Sequence, residues 1–231
     1  MSGRAAIAAA SLLILGLVAV GVVGSRYFAA DHLTVEGADR LTPARVLRIG
    51  GLEPGQNVVT MDTEAAERRL EADPWIASAS VTTELPDTVV VRIDERAPVA
   101  AVRTLEGWDV VAADGVVLDS ASRAPRLPTI TSVVPGQDLA ALGARALGVM
   151  DISLRATVTS LTVGADDVVR LVMDDGVTVS YGTLDQPESK AQALAALLAW
   201  AEDTGARVEE IDVSVPSAPT ARLAGGTQVT P

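Results

Sequence analysis

DPWIASASVTTELPDTVVVRIDERAP, residues 73–98, holds two runs of strand-like alternation, 76–85 and 88–94, joined at Pro86-Asp87. In the second run Val89, Val91 and Ile93 fall on one face and Val90, Arg92 and Asp94 on the other, a period of two that predicts strands and not helix. Upstream, Asp73-Pro74 halts whatever precedes it, because the residue before proline disfavours helical dihedrals. What precedes it is a helix capped by Asp62, with Glu64 and Glu67 early and Arg68 later, charges that suit the helix dipole. A further helix opens at Thr42-Pro43, a hydroxyl N-cap followed by proline at the first helical position. Val46, Leu47 and Ile49 give it an apolar side, Gly50-Gly51 end it, and Glu53-Pro54-Gly55-Gln56 is a turn. Before it Leu33-Thr34-Val35 alternates as a short strand that Gly37 closes. The order over residues 30–98 is β-α-α-β-β.

Residues 99–223 read as a second α+β module with a mixed or antiparallel sheet. Short strands are expected at 99–105, 108–112 and 116–118, separated by Glu106-Gly107 and Asp114-Gly115 turns. Residues 125–128 form a linker-like edge. A helix is expected over 139–154, with Leu142, Leu147 and Met150 on one face. The clearest hairpin pairs 168–173 with 177–181 around Asp174-Asp175-Gly176. A second helix covers 188–203, with Leu194, Leu197, Leu198 and Ala201 facing a core, and Gly205 ends it. A last strand follows at 208–215, and residues 224–231 are expected to be disordered.

Ahead of both modules, residues 5–24 carry no charge and consist mainly of Ala, Leu, Val, Ile and Gly. At about 1.5 Å per residue they span roughly 30 Å, the thickness of a bilayer core. Residues 5–25 are therefore expected to be a transmembrane helix, with 1–4 as a cytoplasmic N-terminus and Tyr27 and Phe28 at the interface. A cleaved signal peptide would begin similarly, but its apolar region covers only about 7–15 residues. Basic residues on the two sides do not set the orientation; the acidic domain behind a signal-like anchor favours export.

The net charge of -12 leaves no basic stripe to neutralise phosphates, which excludes nucleic acid as a partner. The absence of Cys excludes disulfides, thiolate metal sites and a cysteine nucleophile. His32 is the one histidine and follows the apolar span closely, a poor place for a pocket. No nucleophile elbow, glycine-rich phosphate loop or His-Glu-x-x-His is present. The acid pairs Asp166-Asp167, Asp174-Asp175 and Glu209-Glu210 would need to converge to hold a metal or do acid–base work, and two of the three fall where solvated turn aspartates are expected. Glu95-Arg96 is read as a strand end at a domain junction, Trp75 as a core anchor, and Lys190, the only lysine, as a product of composition. No catalytic, cofactor or metal site is assigned, and no enzyme activity or small-molecule substrate is expected.

The stretch after Ile211-Asp212-Val213 bears on mechanism. Pro216 and Pro219 follow within a few residues, and proline confines a strand to a sheet edge. An exposed edge there can accept a strand from another protein, or it can be an inert edge that the prolines protect.

Val35-Glu36-Gly37, Asp73-Pro74-Trp75-Ile76, Ala79-Ser80-Val81, Leu85-Pro86-Asp87-Thr88-Val89 and Glu95-Arg96-Ala97-Pro98-Val99-Ala100, in this order behind one apolar span, make the chain resemble the FtsQ/DivIB family of bacterial cell-division proteins. That resemblance implies a POTRA domain followed by the family's β domain. It also implies a non-enzymatic scaffold of the divisome at the septum, in a single-pass type II membrane arrangement with the C-terminal domain extracytoplasmic. Its implied partners resemble FtsB/DivIC and FtsL, with FtsW, FtsI and other divisome members beyond them. By position, the partner-binding residues it implies are Val213, Val215, Ser217, Ala221 and Leu223. The prolines and the lack of aromatic residues depart from the enterobacterial pattern, so individual side-chain contacts need not carry over. The competing reading is a POTRA-type chaperone or transport factor for exported polypeptides, which would bring several POTRA repeats and a barrel; neither is found in the sequence.

Overall fold

The computed structural model describes residues 13–15, 21, 26–132 and 137–230. The transmembrane helix expected at 5–25 therefore lies, apart from 13–15 and 21, outside the described residues, as do residues 1–4. Among the described residues no helix is long and apolar enough to cross a membrane. The rest divides into two compact units, the first ending at Glu95 and the second beginning at Arg96.

The first unit contains β1 (His32–Glu36), α1 (Pro43–Gly50), α2 (Thr63–Glu71), β2 (Ile76–Glu84) and β3 (Thr88–Glu95). Its local signals act as the sequence indicates. The Thr42 side chain accepts the Arg45 N–H, Pro43 occupies the first turn, and Gly51 takes the left-handed cap. Asp62 accepts the Ala65 N–H at 2.9 Å. The sheet order is β1-β3-β2, with β3 parallel to β1 and antiparallel to β2. Both helices pack on one face, where Val46, Leu70, Ile76, Val89 and Val91 are buried. Val90, assigned to the open face, is also buried at 6% exposure. Its strand is the central one, and Thr34 and Thr82 flank it in register from both sides.

The second unit is built on one ten-stranded mixed sheet with the order β13-β12-β11-β10-β9-β8-β7-β4-β5-β6. The strands are β4 (Pro98–Arg103), β5 (Trp108–Ala112), β6 (Val117–Ala121), β7 (Thr129–Ser132), β8 (Val158–Val163), β9 (Val169–Met173), β10 (Thr178–Gly182), β11 (Val208–Asp212), β12 (Thr220–Leu223) and β13 (Gln228–Val229). Helices α3 (Gln137–Gly148) and α4 (Ile152–Ala156) connect the parallel pair β7 and β8, and α5 (Pro187–Thr204) connects the parallel pair β10 and β11. One cross-strand row forms the spine of the core: Ile130, Leu161, Leu171, Val179, Ile211 and Ala221 are neighbours in register across six strands. None is more than 2% exposed. Burying each larger aliphatic of that row is worth about 1.5–3 kcal/mol against leaving it in water. The neighbouring row, Thr162, Arg170, Ser180, Asp212 and Thr220, points to the other face and is polar throughout.

Four sequence expectations are corrected here. The helix over 139–154 is two helices, because Asp151 accepts the Leu154 N–H at 2.8 Å and starts a new one. Strands β7 and β8, the first of them directly after the 125–128 linker, are additional. The strand at 208–215 ends at Asp212 and is not the last. Residues 224–230, expected to be disordered, form a turn and then β13, which pairs antiparallel with β12.

Candidate functional site: the terminal strands

The Ile211-Asp212-Val213 stretch does not lie at a sheet edge. β11 has β10 on one side and β12 on the other. The crossover through α5 lays β11 parallel beside β10, and the chain then returns antiparallel as β12 on the outside. Pro216 and Pro219 fall in the connection between β11 and β12, so they direct the return and do not interrupt a ladder. That connection is ordered by its own polar groups. Ser214 donates both its N–H (2.8 Å) and its hydroxyl (2.6 Å) to Asp212 Oδ1, and the Ala218 N–H bonds to the Val215 carbonyl at 3.0 Å. The edge of the sheet at this end is β13, with β12 directly beneath it.

The five residues assigned to partner contact separate into two groups. Val213 (0% exposed) and Ala221 (1%) belong to the core. The Val213 N–H extends the β10 pairing by bonding to the Ser180 carbonyl at 3.0 Å. Val215 is 56% exposed, Ser217 is exposed, and Leu223 is half-buried. The path of the chain accounts for the split: Val213, directly after β11, still pairs with β10 and Ala221 faces the core from within β12, whereas Val215 and Ser217 lie in the connection outside the ladder and Leu223 is the last residue of β12.

Across β11 and β12, Arg222 forms a double ion pair: its Nη2 lies 2.6 Å from Glu210 Oε2 and its Nη1 lies 3.3 Å from Glu209 Oε2. Hydrogen bonding to Glu210 raises the guanidinium pKa further. The Glu209-Glu210 pair is thus a partner set for one arginine. Asp166-Asp167 and Asp174-Asp175 sit in the turns at opposite ends of β9. Asp174, Asp175 and Glu209 do line one open cleft of about 710 Å³, together with Glu202 and Arg207. Among the described residues no group of three side chains is placed to hold a metal.

At the start of α5 the sequence reading missed a network that ties a buried lysine to exposed partners. Lys190 is 1% exposed and donates to Asp185 Oδ1 and to the Thr183 carbonyl, each at 2.7 Å. Asp185 also accepts the Thr183 hydroxyl. The Lys190 and Thr183 hydrogen bonds hold its carboxyl down to about 2. Tyr181 is fully buried, donates its hydroxyl to the Pro187 carbonyl, and has its pKa pushed up by that burial. Gly182, at φ 77°, lets Ser214 come close: a Cβ there would lie 3.0 Å from the Ser214 Cβ. No motif marks this network; the signal available was a lone lysine in an otherwise apolar helical stripe.

In the first unit Glu95 is more than a strand end. Its Oε2 and Oε1 accept the Arg40 and Leu41 N–H groups, both at 2.8 Å, and fix the loop ahead of α1. Trp75 is half-buried against the core, with the Arg40 guanidinium 4.6 Å above its ring. His32 is exposed at the start of β1.

Comparison with known proteins accords with this architecture. Residues 28–96 match the POTRA domain, FtsQ-type, and residues 100–229 match the C-terminal region of cell division protein FtsQ/DivIB. Cell division protein FtsQ of Mycobacteroides abscessus is 31% identical over 217 residues, covering 91% of this chain and 68% of that protein. FtsQ of Streptomyces collinus is 30% identical over 233 residues, covering 94% and 87%. Among solved structures, the major extracytoplasmic domain of DivIB from Geobacillus stearothermophilus aligns with a TM-score of 0.38 and 19% identity, over 47% of this chain and 92% of that one. An FtsQ-type POTRA unit followed by the FtsQ/DivIB C-terminal unit, with identity running through both, means that this chain belongs to the FtsQ/DivIB family of cell division proteins.

Proposed function

We propose that this protein is a non-enzymatic scaffold of the divisome that binds FtsB/DivIC-like and FtsL-like partners by strand addition at the terminal edge of its second unit. The observation that carries this reading is the end of the ten-stranded sheet, where, among the described residues, β12 is covered by the two-residue strand β13. An extended segment docking there gains main-chain hydrogen bonds from the edge, and side-chain pockets supply specificity. Val215 and Ser217, exposed on the β11–β12 connection, and Leu223, half-buried on β12, lie within reach of such a segment. Val213 and Ala221 support that surface from beneath.

The reading places residues 5–25 in the cell membrane as a single-pass type II anchor, with the two folded units outside the cytoplasm and concentrated at the septum. Leu13, Ile14 and Leu15, helical and each more than 60% exposed, fit a helix whose apolar side chains face lipid.

Two measurements test it. A fluorescent fusion is expected to form midcell rings, and a uniform envelope signal would count against a divisome role. Co-purification of the FtsB/DivIC-like partner should fall sharply with Leu223→Asp and with Val215→Asp while the melting temperature of the second unit stays within a few degrees. Undiminished capture by both variants discards the terminal edge as the docking surface.

A further inference from the structure

β13 occupies the position that a docking strand needs. It pairs only Val229 with Ala221 and Gln228 with Arg222, whereas β12 runs from Thr220 to Leu223. The turn between them includes Gly225 and Gly226 at φ 105° and 89°. It is closed by the Leu223 N–H bonding to the Thr227 carbonyl at 2.8 Å and the Gly226 N–H bonding to the Leu223 carbonyl at 2.9 Å. Val229 is the apolar anchor of the strand, half-buried against the core. Gln228 is exposed and reaches the Thr220 hydroxyl at 3.1 Å. On its other side β12 is held far more firmly, by four register pairs with β11 and the Arg222 ion pairs.

We propose that β13 is a displaceable latch, and that an incoming extended segment takes its place on the outer edge of β12. The inference rests on the strand-addition reading above and adds how the site is regulated and what it accepts. A segment that follows β12 takes over the main-chain bonds that β13 and its turn make to Ala221 and Leu223, and can extend beyond them. It must bring an apolar residue to the Val229 position, over Ala221. Opposite Arg222 it must bring a neutral or basic residue, because Glu209 and Glu210 already satisfy that guanidinium and leave the spot net negative. Being tethered, β13 competes at high local concentration. The apparent affinity of the site is therefore the intrinsic affinity scaled by the fraction of time the latch is open. Short or acidic strands do not compete.

The chain has no cysteine, so Arg222→Cys with Gln228→Cys introduces its only thiol pair. Because Leu223 and Thr227 form a hydrogen-bonded pair, residues 222 and 228 fall at the adjacent non-hydrogen-bonded position, where Cα atoms are about 4.5 Å apart and a disulfide fits. The probe is a fluorescein-labelled eight-residue peptide alternating valine with threonine and lysine. Its binding is measured to the oxidised double variant, the reduced double variant and a chain ending at Ala224. The expected result is binding roughly tenfold tighter to the reduced than to the oxidised form, with the shortened chain at least as tight as the reduced one. Equal binding by all three forms overturns the latch and leaves strand addition standing. No binding by any of the three, the shortened chain included, overturns strand addition and the latch with it.

Discussion

The Glu95 carboxylate accepts the Leu41 backbone N–H at 2.8 Å, across 54 positions of sequence, while the next residue, Arg96, places its Nε 2.7 Å from Asp114 in the second unit. Two adjacent charges thus serve two different units. Glu95→Ala removes both charge-assisted bonds to the loop before α1 and should destabilise the first unit by about 2 kcal/mol. Arg96→Ala should act on the second unit instead. Hydrogen exchange followed by peptide in rising denaturant checks this, since each substitution should lower protection in one unit only. Loss of protection in the same unit from both substitutions would contradict the division of labour.

Asp185 gives the second unit a defined acid response. Its carboxyl is held at about 2, below the ordinary 3.8, first by the Lys190 ammonium and then by the Thr183 hydroxyl. A folded-state pKa below the unfolded one means the contribution is fully present above about pH 4 and is lost as pH falls through about 2. Asp185→Asn should therefore melt lower than the parent protein at pH 6, with the gap closing between pH 4 and pH 2. Melting curves of both proteins across that range are the check. A gap that is constant with pH would mean that the ionised carboxylate contributes nothing.

The first unit was legible because its boundaries are written locally. Thr42-Pro43, Asp62 and Asp73-Pro74 each work through atoms within three or four residues, and their order alone yields β-α-α-β-β. The second unit depends on what lies beside what, which local signals do not carry. β7 has four residues, too few for a period to show, and it pairs with β4 and β8, both parallel to it. Ile211-Asp212-Val213 alternates correctly but becomes interior, because the strand that covers it arrives only after two prolines. Gly225-Gly226 looks like the start of a tail, yet the same freedom of φ makes a turn that lets the chain fold back. Of the proposed contact residues, Val213 and Ala221 lie in the core; the resemblance named them by position, and a position along the chain does not tell which face of the sheet is buried.

Gly37 ends β1 for a reason that a single substitution can expose. It sits at φ 79°, and a Cβ there would lie 2.1 Å from the Ile93 carbonyl oxygen. Gly37→Ala has to move the backbone of the central strand and should cost the first unit about 3 kcal/mol or more. Gly55 is a built-in comparison: its φ of 87° is similar, but a Cβ meets nothing within 4 Å. Gly55→Ala should cost only about 1 kcal/mol. Denaturant midpoints for the two variants separate backbone strain from collision, and equal losses would show that collision plays no part.

The opposite situation to the β12 edge exists in the first unit. β2 is an outer strand of nine residues, yet two of its outward amides are already taken: the Val81 N–H bonds to Glu67 Oε1 at 2.7 Å and the Ala79 N–H to Glu71 Oε1 at 3.3 Å. Glu67 and Glu71 are four apart on α2, so one helix face presents both carboxylates to the strand. They stand where the carbonyls of an added strand would be, which closes this edge to pairing. Replacing both by alanine should raise the exchange rates of the Ala79 and Val81 amides at least about tenfold and cost about 1–2 kcal/mol. The Val90 amide, in the central strand, should keep its protection. The double variant should also self-associate as concentration rises, which sedimentation can follow. Unchanged exchange at residues 79 and 81 would show that the carboxylates do not guard the strand, and β2 would then join β12 as a candidate docking edge.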